Sequence, residues 1–249
     1  MSSVTEHYEK LLAKHYTWMY GESFDAKVAE QKLLLAQALE SLRNRPQKPL
    51  AVDLGSGPGF QTIALTQLDF SPVIAIDTST ELLNELRSRA SGLPVQIENA
   101  DLLSLPSIVP AGKATAIVCM GDTLTHLPSK SSVGELIREV FQALHSSGVF
   151  VVTYRDLTAE LEGIDRFIPV RGDEDTIMTC FLEYENADTV VVHDLVHTRC
   201  PSGWFLNKSS YRKLRLGVDW LRQELTTAGF VEILNGTAGR LVQVTAAKP

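Results

Sequence analysis

Between residues 50 and 154 short apolar runs alternate with stretches of helical periodicity, and no other feature of the chain limits its fold as tightly. The spacing predicts strands over Leu50–Leu54, Val73–Asp77, Val95–Glu98, Ala114–Met120 and Val149–Tyr154. Helices are expected over Gly59–Leu68, Thr80–Arg89 and Val133–Leu144. Strands of four to eight apolar residues, each followed by a helix, form a parallel sheet covered on both faces.

The flanks read differently. Tyr8, Leu11, Leu12, His15 and Tyr16 keep a helical spacing, as do Val28, Leu33, Leu34, Leu35, Ala38, Leu39 and Leu42, up to a break around Pro46 and Pro49. After Arg155, Thr176–Tyr184 and Thr189–Thr198 are β-rich and joined by the turn-like Glu185-Asn186-Ala187-Asp188, and Trp204–Leu216 supplies a third strand. Such neighbours pair antiparallel. Val218–Ala228 is a helix with Gly229 as its C-cap, and Phe230–Leu234 and Arg240–Thr245 are two strands joined at Asn235-Gly236. The expected fold is α/β: a Rossmann-like, mostly parallel seven-stranded sheet with its last strand antiparallel, an N-terminal helical cap and an antiparallel β insertion. Residues 1–249 form one domain in this reading: cap 1–46, core 47–155, insertion 156–216 over the acceptor, and 217–249 completing the sheet.

The net charge of −7 argues against a surface built for a phosphate backbone. No apolar run is long enough for a membrane helix, and the N-terminus lacks a signal-peptide core. Cys119, Cys180 and Cys200 are widely spaced and read as reduced thiols, without a disulfide or a metal framework. A cytoplasmic protein without nucleic-acid or membrane partners is expected, a monomer or a homodimer.

LAVDLGSGPGF, residues 50–60, puts a glycine turn at the carboxyl edge of the sheet, where open α/β sheets bind ligands. A phosphate loop needs Gly-Lys-Ser/Thr, which is missing. A dinucleotide turn wants a third glycine where Phe60 stands, and Pro58 removes an N–H that pyrophosphate would use. Asp53 adds a negative charge, which attracts a cofactor carrying a cationic amino group and no phosphate. S-adenosylmethionine (SAM) is such a cofactor. Asp77 ends the second strand, placed for ribose hydroxyls, although NAD enzymes use an acid there too. Asp101 follows the third strand to accept an adenine amino group, with Leu102 to pack on the ring.

The motifs AVDLGSGPG, VIAID, ENADLL, IVCMGDTLTHL and LHSSGVFVVTYRD resemble those of class I SAM-dependent methyltransferases, from about residue 49 to the end. Met120–Pro128 is similar to the Gly-Asn-Ser-Phe-Ala-His-Leu-Pro stretch of glycine and sarcosine N-methyltransferases, with Asp122 in place of the amine-positioning asparagine. The resemblance implies that Arg155 holds a substrate carboxylate and that Tyr20 and Lys27 reach SAM. The expected SAM set is Tyr20, Lys27, Asp53, Gly55, Ser56, Gly57, Gly59, Asp77, Thr78, Asp101, Leu102 and Met120. Asp122, His126 and Arg155 are the candidates on the acceptor side, Asp122 as the group that orients an amine and takes its proton.

His126 is the alternative base, set against a structural histidine bonded to backbone. His193 and His197 share one strand face, either bordering the cleft or exposed, and no third ligand suggests a metal. Tyr16, Trp18, Tyr20, Trp204 and Tyr211 are candidates for an aromatic lid, and Arg212, Lys213 and Arg215 read as a solvated basic patch. Amino-group methyltransferases of nucleic-acid bases resemble one another in an Asn/Asp-Pro-Pro-Tyr stretch that Gly-Asp-Thr-Leu replaces here, which favours a small-molecule acceptor, most simply at nitrogen. Two rivals stand beside this reading: a non-catalytic SAM or S-adenosylhomocysteine (SAH) binder acting through a partner, and a nicotinamide oxidoreductase.

Overall fold

In the computed structural model, which describes residues 3–40, 42 and 46–249, the core is a seven-stranded sheet. Its strands are β1 (Leu50–Leu54), β2 (Val73–Asp77), β3 (Val95–Asn99), β4 (Ala114–Cys119), β5 (Leu144–Tyr154), β10 (Val231–Ala238) and β11 (Leu241–Ala247). The order is β10-β11-β5-β4-β1-β2-β3, and only β11 runs against its neighbours. Strand order reverses beside β1, so the crevice such sheets use for ligands opens at its carboxyl end.

Eight α-helical segments accompany the strands: α1 (Val4–His7), α2 (Tyr16–Met19), α3 (Phe24–Ala38), α4 (Phe60–Thr66), α5 (Thr80–Arg89), α6 (Leu105–Ile108), α7 (Lys130–Ala143) and α8 (Val218–Ala228). The strand pleat sorts the core into two layers. Val52, Leu54, Ile74, Ile76, Ile117 and Phe150 pack under α7 and α8. Ala51, Val73, Ala116, Val118 and Val151 face α3 and α4. Both faces are therefore covered, as the unbroken apolar runs require. α7 begins three residues before the apolar periodicity because the Ser129 hydroxyl accepts the Ser132 N–H and caps it.

Residues 167–214 form a second sheet, ordered β6 (Phe167–Gly172), β7 (Thr176–Tyr184), β8 (Thr189–Cys200) and β9 (Gly203–Leu214). It has four strands rather than the three expected; β6, interrupted by Pro169 and a register shift, carries little alternation. The N-terminal segment passes from α1 through a π-helical turn (Tyr8–Leu12) and a 3₁₀ turn to α2. Leu11 and Leu12 pack on Met178 and Val196 of the second sheet. Buried His7 donates through Nε2 to Asp194 Oδ2 of β8 at 2.9 Å. Met1, Ser2, Ser41 and residues 43–45, part of the expected cap, lie outside the described residues.

Two expectations need correction. Asn235-Gly236 is not the final turn: both lie within β10, paired with Val244 and Gln243, and the chain reverses at Gly239-Arg240, with Gly239 at φ +60°. β11 accompanies β5 from Val242 to Ala247, which moves the reversal to that point. Nor is the basic trio a solvated patch. Only Arg212 is exposed, on Glu185, whereas Lys213 and Arg215 are 6% and 4% exposed. Arg215 donates to Leu157 O, Thr158 O and the Glu160 carboxylate.

Candidate active site

The turn after β1 is built from backbone. Gly55 and Ser56 N–H groups donate to Ile76 O at 2.8 and 3.1 Å, tying the turn to β2. Gly55 and Gly57 hold φ of +72° and +52°. A Cβ on Gly55 would stand 2.2 Å from Thr123 Cγ2, so glycine is required there by contact as well as by conformation. Asp77 Oδ2 accepts the Gly57 N–H and Oδ1 the Ser79 N–H, both at 2.8 Å, leaving a lone pair on each oxygen. Burial raises the Asp77 pKa, and these N–H groups oppose the rise.

An open cleft lies above this turn, lined by Gly55, Gly57, Asp77, Thr78, Asp101 and Leu102 from the strand ends and by Thr123, His126, Leu127 and Pro128 after β4. Val4, Thr5, Tyr8 and Tyr16 of the N-terminal segment close it from above. Two carboxylates and no lysine or arginine line it among the described residues, a donor set that suits a cationic cofactor and not a pyrophosphate. The donor set fits SAM: Asp77 and Asp101 would favour its cationic charge and could accept its hydroxyl and amino hydrogens, and the glycine turn leaves its backbone open to a close ligand.

The other expected SAM residues lie elsewhere. Asp53 is buried, takes the Thr62 hydroxyl at 2.6 Å, and is pushed up to about 7 by burial. Asp53 therefore stands behind the cleft lining, and burial opposes its ionisation. Ser56 is buried with its hydroxyl unpartnered, Gly59 caps α4 against Leu86, and Met120 belongs to the core under α4. Tyr20 stands behind Tyr16, hydroxyl to hydroxyl at 3.2 Å, while Lys27 is held by Glu30 and Glu22 over the Tyr20 ring.

The acceptor-side trio is gathered after β4 and β5, with an added partner. Asp122, at φ +85°, accepts the Arg155 backbone N–H at 2.8 Å and the Thr125 hydroxyl at 3.2 Å on Oδ1. Its Oδ2 takes the Lys213 ammonium from β9 and faces Arg155 Nε at 3.4 Å. Burial pushes the Asp122 carboxyl up, but Lys213 and the Arg155 N–H hold it below the ordinary carboxylate range. A carboxylate so occupied is a weak proton acceptor. Arg155, half-exposed and turned to Asp122, is likewise engaged within the protein. His126 has its ring centroid 5.8 Å from that of Tyr8 and 5.4 Å from that of Tyr211, with Nε2 buried and unpartnered. Burial and then Lys213 drive its pKa to about 3, so the ring is neutral.

Sequence reasoning placed Tyr8 only on a helix and treated Lys213 as surface. The available signal for Lys213 was strand alternation: it shares a face with Tyr211 and opposes Arg212. His193 and His197 project from the opposite face of β8 to Asp194, and His193 meets Glu183 at 2.8 Å, away from the cleft. Of the supposed lid, Tyr16 lines the cleft and Tyr211 meets His126, whereas Trp18 bonds Asp173 and Trp204 is exposed at the hairpin tip.

A switch-point crevice with a glycine turn, three strand-end acids and an antiparallel penultimate position in the sheet defines the class I SAM-dependent methyltransferase fold. Residues 51–148 match the family model described as a methyltransferase domain. That stretch is similar to methyltransferase domains, and the chain as a whole shares the fold of SAM-dependent methyltransferases. A glycine/sarcosine/dimethylglycine N-methyltransferase of Actinopolyspora halophila is 28% identical over 127 residues, 50% of this chain and 22% of that protein. The match thus spans about a fifth of that relative's length. A SAM-dependent methyltransferase of Clostridium acetobutylicum superposes with a TM-score of 0.73 at 16% identity, over 98% of this chain and 96% of the other. The SAM-bound amino pentose methyltransferase CalS10 of Micromonospora echinaspora gives 0.70 at 14% identity, over 95% and 96%.

Proposed function

We propose that this protein transfers the methyl group of SAM to the nitrogen of a small-molecule amine. The observation that carries the reading is the single cleft running from Asp77 and Asp101, past the glycine turn, to His126. Bound SAM supplies an electrophilic methyl on a sulfonium, which a neutral nitrogen lone pair accepts as the carbon–sulfur bond breaks. The chain's part is to hold the reactants in line and exclude water. The N-terminal segment and the second sheet cover the site, and a neutral His126 lines the end of the cleft after β4. The N-methyltransferase relative supports nitrogen as the target.

The test is a screen with methyl-labelled SAM against primary and secondary amines, including amino acids, amino alcohols and amino sugars. Labelled N-methyl product with stoichiometric SAH is expected. SAH binding without any labelled product would favour a non-catalytic binder, and label on oxygen or carbon alone would refute the nitrogen assignment.

A further inference from the structure

We infer that Tyr16 is the residue by which the cleft tells the charged methyl donor from its neutral product, so that ligands with a cation at the sulfur position bind tighter than SAH. This rests on the proposed methyl transfer and names a specificity determinant of that same cleft.

SAM and SAH share the adenosine and the amino-acid end. They differ by one methyl group and one positive charge on sulfur, so a difference in affinity reports what faces that sulfur. The two carboxylates lining the cleft, Asp77 and Asp101, sit at the ends of β2 and β3, while His126 and Pro128 follow β4. In the sheet β1 separates β2 from β4. A donor with its adenosine toward β2 and β3, passing its methyl toward β4, has its sulfur between them, over the turn after β1. Glycines pave that stretch: Gly55 and Gly57 after β1 and Gly121 after β4, all at positive φ. They present backbone and no side chain to a ligand. Tyr16 spans the same stretch from the N-terminal segment. A Cβ built on Gly57 would stand 3.6 Å from Tyr16 Cε1, and one built on Gly121 would stand 3.9 Å from the Tyr16 hydroxyl.

The ring is held in that place. The Tyr20 hydroxyl donates to the Tyr16 hydroxyl at 3.2 Å, and Tyr20 is itself braced edge-on against Phe60. On its other side Tyr16 packs with Leu11 and Leu12 of the N-terminal segment. Burial raises the Tyr16 phenol, which stays protonated, so its pull on a cation comes from the ring and not from a phenolate. The charges around it do not oppose a cation. Asp77 and Asp101 are negative, no lysine or arginine lines the cleft among the described residues, and His126 is neutral. Lys27, over the Tyr20 ring behind Tyr16, is paired with Glu22 and Glu30. An aromatic ring beside a desolvated cation favours it by about two- to thirtyfold in affinity. The thioether of SAH gains none of this. The carboxylates act in the same direction from the β2 and β3 side, so removing the ring lowers the preference without abolishing it.

The test is calorimetry of SAM, SAH and sinefungin, which carries an ammonium on carbon in place of the sulfonium, on the parent protein, Tyr16→Phe and Tyr16→Leu. In the parent, SAM and sinefungin should each bind at least about fivefold tighter than SAH. Tyr16→Phe keeps the ring and should keep that ratio. Tyr16→Leu should cut it at least about threefold, by weakening the two cations while SAH stays within about twofold. A purely structural role would weaken all three ligands alike. SAH binding as tightly as SAM to the parent, a ratio unmoved in Tyr16→Leu, uniform weakening of the three ligands, or a ratio already lost in Tyr16→Phe overturns the inference. The parent comparison needs no variant and stands even where Tyr16→Leu fails to fold. Failure of all three ligands to bind the parent would instead overturn the methyltransferase reading.

Discussion

Lys213→Met tests how the second sheet is locked to the site. The substitution keeps the aliphatic length and deletes one ammonium from the 6%-exposed Lys213. Asp122 keeps the Arg155 N–H at 2.8 Å, the Thr125 hydroxyl at 3.2 Å and the solvent-exposed Arg155 Nε at 3.4 Å. Removing one partner of a buried ion pair costs about 3–5 kcal/mol, and these remaining donors put the loss near 3 kcal/mol. Adding Asp122→Asn removes the stranded charge and should restore about 2 kcal/mol of it. Urea denaturation of the four proteins at pH 7 measures the coupling. The pH dependence has a definite sign. The Asp122 pKa is depressed in the folded protein, so its contribution is complete above the ordinary carboxylate value of 3.8 and is lost as pH falls through the folded value. In the variant, burial acts without Lys213 and protonation relieves the cost. The stability gap should thus be widest near neutrality and close toward and below 3.8. Single variants whose losses simply add, or a gap that widens in acid, would refute the reasoning.

Three further outcomes are expected. Gly55→Ala should weaken SAH binding at least tenfold and cost about 1–2 kcal/mol of stability, from its left-handed conformation alone, with the Thr123 contact adding to both; unchanged affinity by calorimetry would contradict the turn's role. The His126 ring, lowered to about 3, should remain neutral at pH 5 in a nitrogen–proton NMR correlation. The unfolded chain takes up that proton first as pH drops below about 6.5, so about 2 kcal/mol of stability should be lost by pH 5; a ring titrating near 6.5 contradicts this. Asp53→Asn should stabilise the protein increasingly as pH rises from 3.8 to about 7 and by a constant amount above, because over that window only the unfolded chain's carboxyl ionises freely. SAH affinity should stay within about twofold in that variant, and a larger loss would return the Asp53 charge to the cofactor.

The central sheet was legible because its signals are local. Val73–Asp77 and Thr80–Arg89 begin and end where apolar runs, strand-end acids and a serine cap dictate. Gly55, Gly57, Asp77, Asp101 and Leu102 could be read because all sit at strand ends, which the topology brings to one crevice. The other half of the site depends on pairing between distant segments. Lys213 meets Asp122 across 91 residues, and His7 meets Asp194 across 187. Neither spacing carries a periodic signal, and a lysine beside Arg212 looks like surface until strand alternation turns it inward. Asp53 shows a further limit: a sequence gives the carboxyl but not its burial, which pushes it up to about 7. Asn235-Gly236 matched a strong turn preference that the pairing of β11 with β5 overrode.

The most direct measurement is calorimetric titration of SAH into the purified protein, beside NADH, with Asp77→Ala as the paired variant. Micromolar SAH binding, lost in Asp77→Ala and absent for NADH, is the result the account predicts. An absence of SAH binding after any co-purified ligand is stripped, or NADH binding in its place, would contradict it.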